Sequence, residues 1–411
     1  MHRRTLLLGT AGALLLAGHP AMAARKKVSL WHIYSRSTDM IHAGITKFNA
    51  KNTEFEIEPR LIPYTQVNPE LLRASATGTP PDLVTINDPD VTSYAAQGQL
   101  TDLTDRVAAS KVINMSVYFK GLQASGVWKG RRYSVAREIN TLALYYNADL
   151  FRAAGLDPDK PPSTWSEVTA AAAKLTDRAK TIYGLGFCAA QSEQSVFHFL
   201  PWLWQAGGAI DKLDQPLAAT ALQFWADMVR NGYASRDVII QPQDEVMSAF
   251  GAGSYAMAVG GPWELPRLGN DRKFDWRITP LPVKDGLNIR ASSLGGFHFA
   301  IPKGAKEIEG AFQVIELMSD PELFGEAWNS NGLMAPRTDI EIPSPAWPLA
   351  YAVYREQVKT ATPRGPHPQW PSLSRPIQIA IQEALTGTKT PDVAMKEAAQ
   401  KIQPILAKTP L

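Results

Sequence analysis

Residues 28–61 read VSLWHIYSRSTDMIHAGITKFNAKNTEFEIEPRL. The first seven, Val28 to Tyr34, form an almost unbroken apolar and aromatic run of the length of a buried strand. Ile41, Ile45 and Phe48 follow at spacings of three and four, one face of a helix. Phe55, Ile57, Pro59 and Leu61 then alternate with polar residues, the period-two signature of a half-buried strand. Pro59 removes a backbone donor, so this second strand belongs at a sheet edge or ends early. A buried strand, a helix and another strand in under forty residues is the repeating unit of an α/β fold.

Downstream, the same alternation continues. Asp82–Ile86, Leu142–Tyr146, Tyr255–Val259 and Phe297–Ile301 read as short strands. Leu217, Thr220, Ala221, Phe224, Trp225 and Met228 step by three and four; so do Ile308, Ala311, Phe312 and Ile315, and Ile377, Ala380, Ile381, Ala384 and Leu385. Each stripe gives an amphipathic helix a face to pack on a sheet. Thr164-Trp165-Ser166-Glu167 is a capping box, in which the Thr oxygen accepts from the Glu amide while the Glu side chain reaches back. The helix it opens would bury Val168, Ala171, Ala172 and Leu175. The pattern implies α/β architecture with largely parallel sheets, and in such sheets ligands sit just beyond the carboxyl ends of strands. A chain of 411 residues exceeds one typical hydrophobic core, so two domains are expected.

The amino end carries a different message. Arg3 and Arg4 precede an apolar stretch, Leu6 to Ala17, and then Ala21-Met22-Ala23, a small-x-small cleavage pattern. Residues 1–23 therefore read as a secretory signal peptide, too short in its apolar part to span a bilayer. Arg3-Arg4-Thr5-Leu6-Leu7 fits either an ordinary basic start or a twin-arginine signal. Cys188 is the only cysteine, so neither a lipid-anchored cleavage site nor an internal disulfide is available. The expectation is a soluble, exported protein of the periplasm. With 42 Lys and Arg against 39 Asp and Glu, two of the basic residues in the leader, nothing favours nucleic acid or an anionic membrane as partner.

Six segments carry a family resemblance. They are Gly78-Thr79-Pro80-Pro81-Asp82-Leu83; Trp128-Lys129-Gly130-Arg131-Arg132-Tyr133; Leu144-Tyr145-Tyr146-Asn147-Ala148-Asp149-Leu150-Phe151; Gly261-Pro262-Trp263-Glu264; Leu294-Gly295-Gly296 with Ala300-Ile301-Pro302-Lys303-Gly304; and Asn331-Gly332-Leu333-Met334-Ala335-Pro336-Arg337. In that order they resemble the motifs of family 1 extracellular solute-binding proteins, the group that includes maltose-binding protein, across roughly Val28 to Leu406. Ala136 departs from the family's usual Pro. The resemblance implies a two-lobed periplasmic binding protein type II fold with a hinge of two to three crossing segments, near Glu138–Thr141, Pro282–Arg290 and Gly332–Pro336. Residues 24–138 with 283–333 would form the first lobe, and 139–282 with 334–411 the second. It also implies a monomer that catalyses nothing, needs no cofactor or metal, captures a carbohydrate and delivers it to the permease subunits of an ABC transporter.

A sugar presents hydroxyls at its edge and apolar C–H faces, so its site combines aromatic platforms with short polar groups. Trp263, in the loop after a strand, matches the family's stacking tryptophan; its structural alternative is a brace for the turn. Trp370 lies where a second family tryptophan falls, or anchors its loop. Trp202 and Trp204 point to different sides of one helix, with Trp204 the better candidate for the cleft. Tyr34 and Ser35 end the first strand, while Ser37 and Thr38 suit helix caps. Asp88, after Asn87, stands where the family sends a carboxylate to sugar hydroxyls, or begins a plain turn with Pro89. Arg137, Glu138 and Asn140 lie at the first crossing, as ligand contacts or as a hinge ion pair. Gly295 and Gly296 allow close backbone approach, or mark a bulge. Trp31, Trp165, Trp225 and Trp276 suit the core. Arg36, Arg137, Arg364 and His367 keep open an anionic solute such as a glycerol-phosphate. The remaining rival is a secreted glycoside hydrolase, which needs two opposed carboxylates. No nucleophile elbow, zinc-helix, phosphate-loop or calcium-loop motif occurs. Cys188 with His198 as a nucleophile pair is a poor fit to an apolar segment.

Overall fold

The computed structural model describes residues 24–34, 40–270, 273–343 and 345–411. Residues 1–23, which the sequence reads as a signal peptide, and Ser35, Arg36, Ser37 and Thr38 lie outside them. Two sheets organise the chain. In the first, the strands run Phe55–Leu61, Lys26–His32, Leu83–Asn87, Phe297–Ala300, Ser134–Ala136. The strand–helix–strand opening folds as its pattern predicts: Val28 lies beside Ile57 in a parallel pair. Phe55–Leu61 is an edge strand, and its burial stops after Ile57, leaving Leu61 49% exposed.

The second sheet runs Trp276–Thr279, Ala143–Asn147, Tyr255–Gly260, Tyr183–Gly186. Neither sheet is largely parallel. Phe297–Ala300 is antiparallel to both its neighbours, and Ala143–Asn147 is antiparallel to both of its own. Right-handed crossovers impose parallel pairing only on consecutive strand–helix–strand units. Phe297–Ala300 instead enters the first sheet from the hinge, from the opposite end.

Helices cover both sheets. Ile308–Met318 and Pro321–Asn331 pack on Met40–Lys51 against the first. Pro216–Arg230, Trp370–Thr386 and Pro391–Leu406 pack together in the second lobe. The capping box forms, with Glu167 N donating to Thr164 Oγ1 at 3.3 Å and Thr164 N to Glu167 Oε2 at 3.2 Å. Val168, Ala171, Ala172 and Leu175 are buried behind it. No helix among the described residues is long and apolar enough to cross a membrane.

Between the lobes, Ile139 bridges to Met334 and Asn140 to Gly295. The middle crossing therefore runs through Ser292–Gly296, later than Pro282–Arg290. Val283 is held inside the second lobe, where it exchanges backbone hydrogen bonds with Ser163 and Trp165. Gly296 sits at φ +148°, and a Cβ there would fall 2.3 Å from the Glu138 carbonyl oxygen, so the hinge strands meet only because this residue is glycine.

Candidate functional site

A cleft of about 470 Å³ opens between the lobes at the strand ends. Tyr34 leaves strand Lys26–His32, Asn87 ends Leu83–Asn87, and Phe297 begins the strand that returns from the hinge. Tyr64, just beyond the edge strand, completes this wall; its ring meets Phe297 edge-on at 6.0 Å, and Tyr34 meets Phe297 at 6.3 Å. The opposite wall carries Trp263, Phe197, Gln194 and Arg364, and the crossings contribute Glu138, Asn140 and Gly296.

Trp263 follows strand Tyr255–Gly260 and remains partly exposed to the cleft. Its ring lies over Gly261, where a Cβ would fall 2.0 Å from a ring carbon. The glycine thus permits the orientation, and Phe197 supports the ring at 6.3 Å. One face of an indole beside tyrosines and carboxamides suits a ligand with apolar faces and a hydroxylated edge.

The sequence candidates divide. Tyr34, Asn140, Trp263 and Gly296 come together at the cleft. Gly295 lies beneath it, exchanging two backbone hydrogen bonds with Asn140 at 2.9 Å. Arg137 is buried beside the cleft rather than lining it. It pairs with Glu138 and lies 3.9 Å from the centre of the Tyr34 ring, while Tyr34 OH donates to Glu138 at 3.1 Å. This is the hinge ion pair of the two readings.

Asp88 does not face the cleft. The strand runs one residue further than predicted, to Asn87, and Asp88 opens the next helix and turns into the first lobe. There Oδ1 meets His298 Nε2 at 2.9 Å, and His298 Nδ1 meets Ser134 Oγ at 2.9 Å. Burial alone would raise the Asp88 carboxyl; the hydrogen bond and charge of His298 outweigh it and hold the group below its ordinary range. Trp204 is also outside the cleft. Its helix, Glu193–Gln205, presents its first turns, Gln194 and Phe197, and at 1.5 Å per residue Trp204 lies roughly 10 Å further along. Trp202 is fully buried, stacked on Phe224 at 4.7 Å. Trp370 is fully buried too, donating to Glu193 at 3.1 Å, the anchoring role. His367 is buried and bonded to the Thr409 carbonyl at 2.7 Å.

Tyr64, Phe197 and Phe297 were missed. Tyr64 and Phe297 stand at strand ends, so the strand-end rule reaches them once applied to the edge strand and to the residue after Gly296. Phe197 lies within an aromatic run, VFHFLPWLW, that gives no hint of which ring is partly free.

The two arginines that line the cleft are each paired with a carboxylate. Arg364, 4% exposed, donates to Glu193 Oε1 at 2.7 Å and lies 4.6 Å from the centre of the Phe197 ring. Arg267 pairs with Glu264 at 3.5 Å and donates to the Asp244 carbonyl at 2.6 Å. Cys188 and His198 make no reactive pair. The imidazole accepts from the Cys188 backbone N–H at 3.2 Å, burial pushes the thiol up to about 12, and burial pulls the imidazole down to about 3. Among the described residues no cluster of His, Cys, Asp and Glu could hold a metal ion.

The described architecture recurs in solved proteins. A solute-binding protein of an ABC transporter from Thermotoga lettingae, bound with α-D-tagatose, is 26% identical; the match covers 93% of this chain and all of that one, with a TM-score of 0.84. Maltose-bound MalE3 of T. maritima is 23% identical, covering 92% of this chain and all of that one at a TM-score of 0.81. The sn-glycerol-3-phosphate-binding periplasmic protein UgpB of Escherichia coli is 24% identical over 396 residues, 86% of each chain. Residues 43–353 match the bacterial extracellular solute-binding protein family. The chain belongs to that family.

Proposed function

We propose that this chain is the solute-binding component of an ABC importer, exported to the periplasm, which captures a neutral sugar between its lobes and hands it intact to permease subunits. One observation carries the reading: the interlobe cleft sets Trp263 and Phe197 on one wall against Tyr34, Tyr64 and Phe297 on the other, with Asn87, Asn140 and Gln194 between them. Aromatic faces take the C–H surfaces and carboxamides take the hydroxyls. The sugars bound in the T. lettingae and T. maritima proteins support it. The lobes divide at the crossings: residues 24–138 and the return strand Phe297–Ala300 with its following helices lie on one side, and 141–291 with 348–411 on the other, the middle crossing falling at Ser292–Gly296 rather than at residue 283. Ligand contacting both walls favours the closed arrangement by those contacts that open lobes cannot make.

An anionic solute is the second reading, favoured by the UgpB relative and by the two arginines lining the cleft. Both are already matched by carboxylates, which argues for a neutral ligand. Binding that weakens steeply with salt would reverse that preference. The transport role of the family supports a protein without catalysis, and Glu138, committed to Arg137 and Tyr34, makes a poor general acid.

A calorimetric titration of the tightest ligand from a panel of neutral sugars, polyols and sugar phosphates tests the site. Trp263→Ala is expected to weaken it tenfold or more, about 1.4 kcal/mol, with unchanged thermal unfolding. Equal affinities would remove Trp263 from the site.

A further inference from the structure

A second chamber, of about 540 Å³, adjoins the first. Tyr64, Thr65, Asn87 and Phe297 line both, so they form one side of a shared neck. The other side belongs to the second lobe. Arg364 lines the first chamber and Glu193 the second, and the two are joined by the 2.7 Å charge-assisted hydrogen bond. Arg364 Nη2 reaches across the neck to Asn87 Oδ1 at 3.5 Å. The ion pair is fixed on its own lobe: the guanidinium lies on the Phe197 ring, and Glu193 also receives Trp370 Nε1 at 3.1 Å and the Ser374 hydroxyl. A buried guanidinium held on three sides does not swing aside without leaving a carboxylate short of its partner.

We infer that the Asn87–Arg364–Glu193 bar partitions the interlobe cavity, confines the solute to the chamber of Trp263, and so sets an upper limit of about two sugar rings. This rests on the reading of the cleft as a sugar site. The chamber beyond the bar offers both kinds of surface a sugar needs, the polar side chains of Asn68, Asp90, Gln191 and Gln378 among apolar walls that include Val67, Phe297 and Pro371. It is furnished to take further rings, and the bar is what keeps them out. Removing Arg364 leaves Glu193 with two donors, so the chamber opens without stranding a bare carboxylate.

The test is calorimetry on the whole mature chain with gluco- and manno-oligosaccharide ladders of one to four rings. The wild type is expected to bind its best one- or two-ring member at least tenfold tighter than the three- and four-ring members. Arg364→Ala is expected to gain tenfold or more for three and four rings, with a smaller change for one and two. Asn87→Ala removes the other half of the bar; because that carboxamide also takes a sugar hydroxyl it is expected to weaken one- and two-ring binding, and to raise the affinity for three and four rings relative to one and two by tenfold or more, which keeps the test open if Arg364→Ala does not fold. Wild type that binds three or four rings as tightly as one or two, or folded variants with an unchanged ladder, would overturn the partition. Failure of the wild type to bind any member would instead overturn the sugar reading, and the partition with it.

Discussion

Asp82→Ala is expected to lower stability by about 3–5 kcal/mol, the signature of a buried carboxylate removed from its donors. Asp82 is 6% exposed and ends the Gly78-Thr79-Pro80-Pro81 approach to the first sheet. Its Oδ2 accepts from Ser29 N at 2.9 Å and Ser29 Oγ at 2.7 Å; its Oδ1 accepts from Lys306 N and Glu307 N, both at 2.9 Å. One carboxylate therefore ties strand Lys26–His32 to the amino end of helix Ile308–Met318, where the helix dipole also favours an anion. Alanine leaves these four part-buried donors without their acceptor and cuts the tie between strand and helix. Asp82→Asn retains one acceptor and is expected to lose about half as much. Thermal unfolding at neutral pH reads the effect, and a loss below about 1 kcal/mol for Asp82→Ala would refute the assignment.

Asp90→Asn is expected to act in the opposite direction, stabilising the protein above pH 6. Asp90 is 8% exposed, and burial pushes its carboxyl up to about 6. Asn68 donates to it at 2.9 Å and, with Arg364, opposes the rise; Glu193 and Asp88 add to it. The sign follows by linkage. A folded carboxyl raised above its unfolded range, near 4, binds its proton more tightly in the native state. Its contribution to stability is complete below that unfolded range and is lost as pH climbs through 6. At pH 7.5 the buried charge costs on the order of 3 kcal/mol, and asparagine avoids it. Unfolding midpoints of wild type and variant are expected to converge near pH 4, to separate between about pH 4 and 6, and to keep a constant offset from there to pH 8. Curves parallel over the whole range from pH 4 to 8 would show that Asp90 does not titrate in this window.

The fold was legible because periodicity survives any tertiary arrangement. Val28–Tyr34 and Phe55–Ile57 reveal buried faces whichever sheet they join, and Thr164 with Glu167 caps a helix through contacts local in sequence. Sheet polarity was not legible. Phe297–Ala300 looks like any other strand, and only its arrival from the hinge makes it antiparallel.

At the site, the strand-end rule reached Tyr34 and the family motif reached Trp263. It misplaced the carboxylate by one position: a strand ending at Asn87 rather than Ile86 gives the cleft an amide and sends Asp88 to His298. Helix direction was the other hidden quantity. Nothing in EQSVFHFLPWLWQ says which end meets the other lobe, and that end decides between Phe197 and Trp204. Arg137 and Glu138 showed their charge but not their burial, and burial makes them a hinge pair.

Small-angle X-ray scattering, with and without the tightest sugar of the panel, tests the central claim most directly. Closure of two lobes around a ligand predicts a smaller radius of gyration at saturation and the original value once the sugar is dialysed away. A radius that stays constant while calorimetry shows the site full would contradict capture between the lobes.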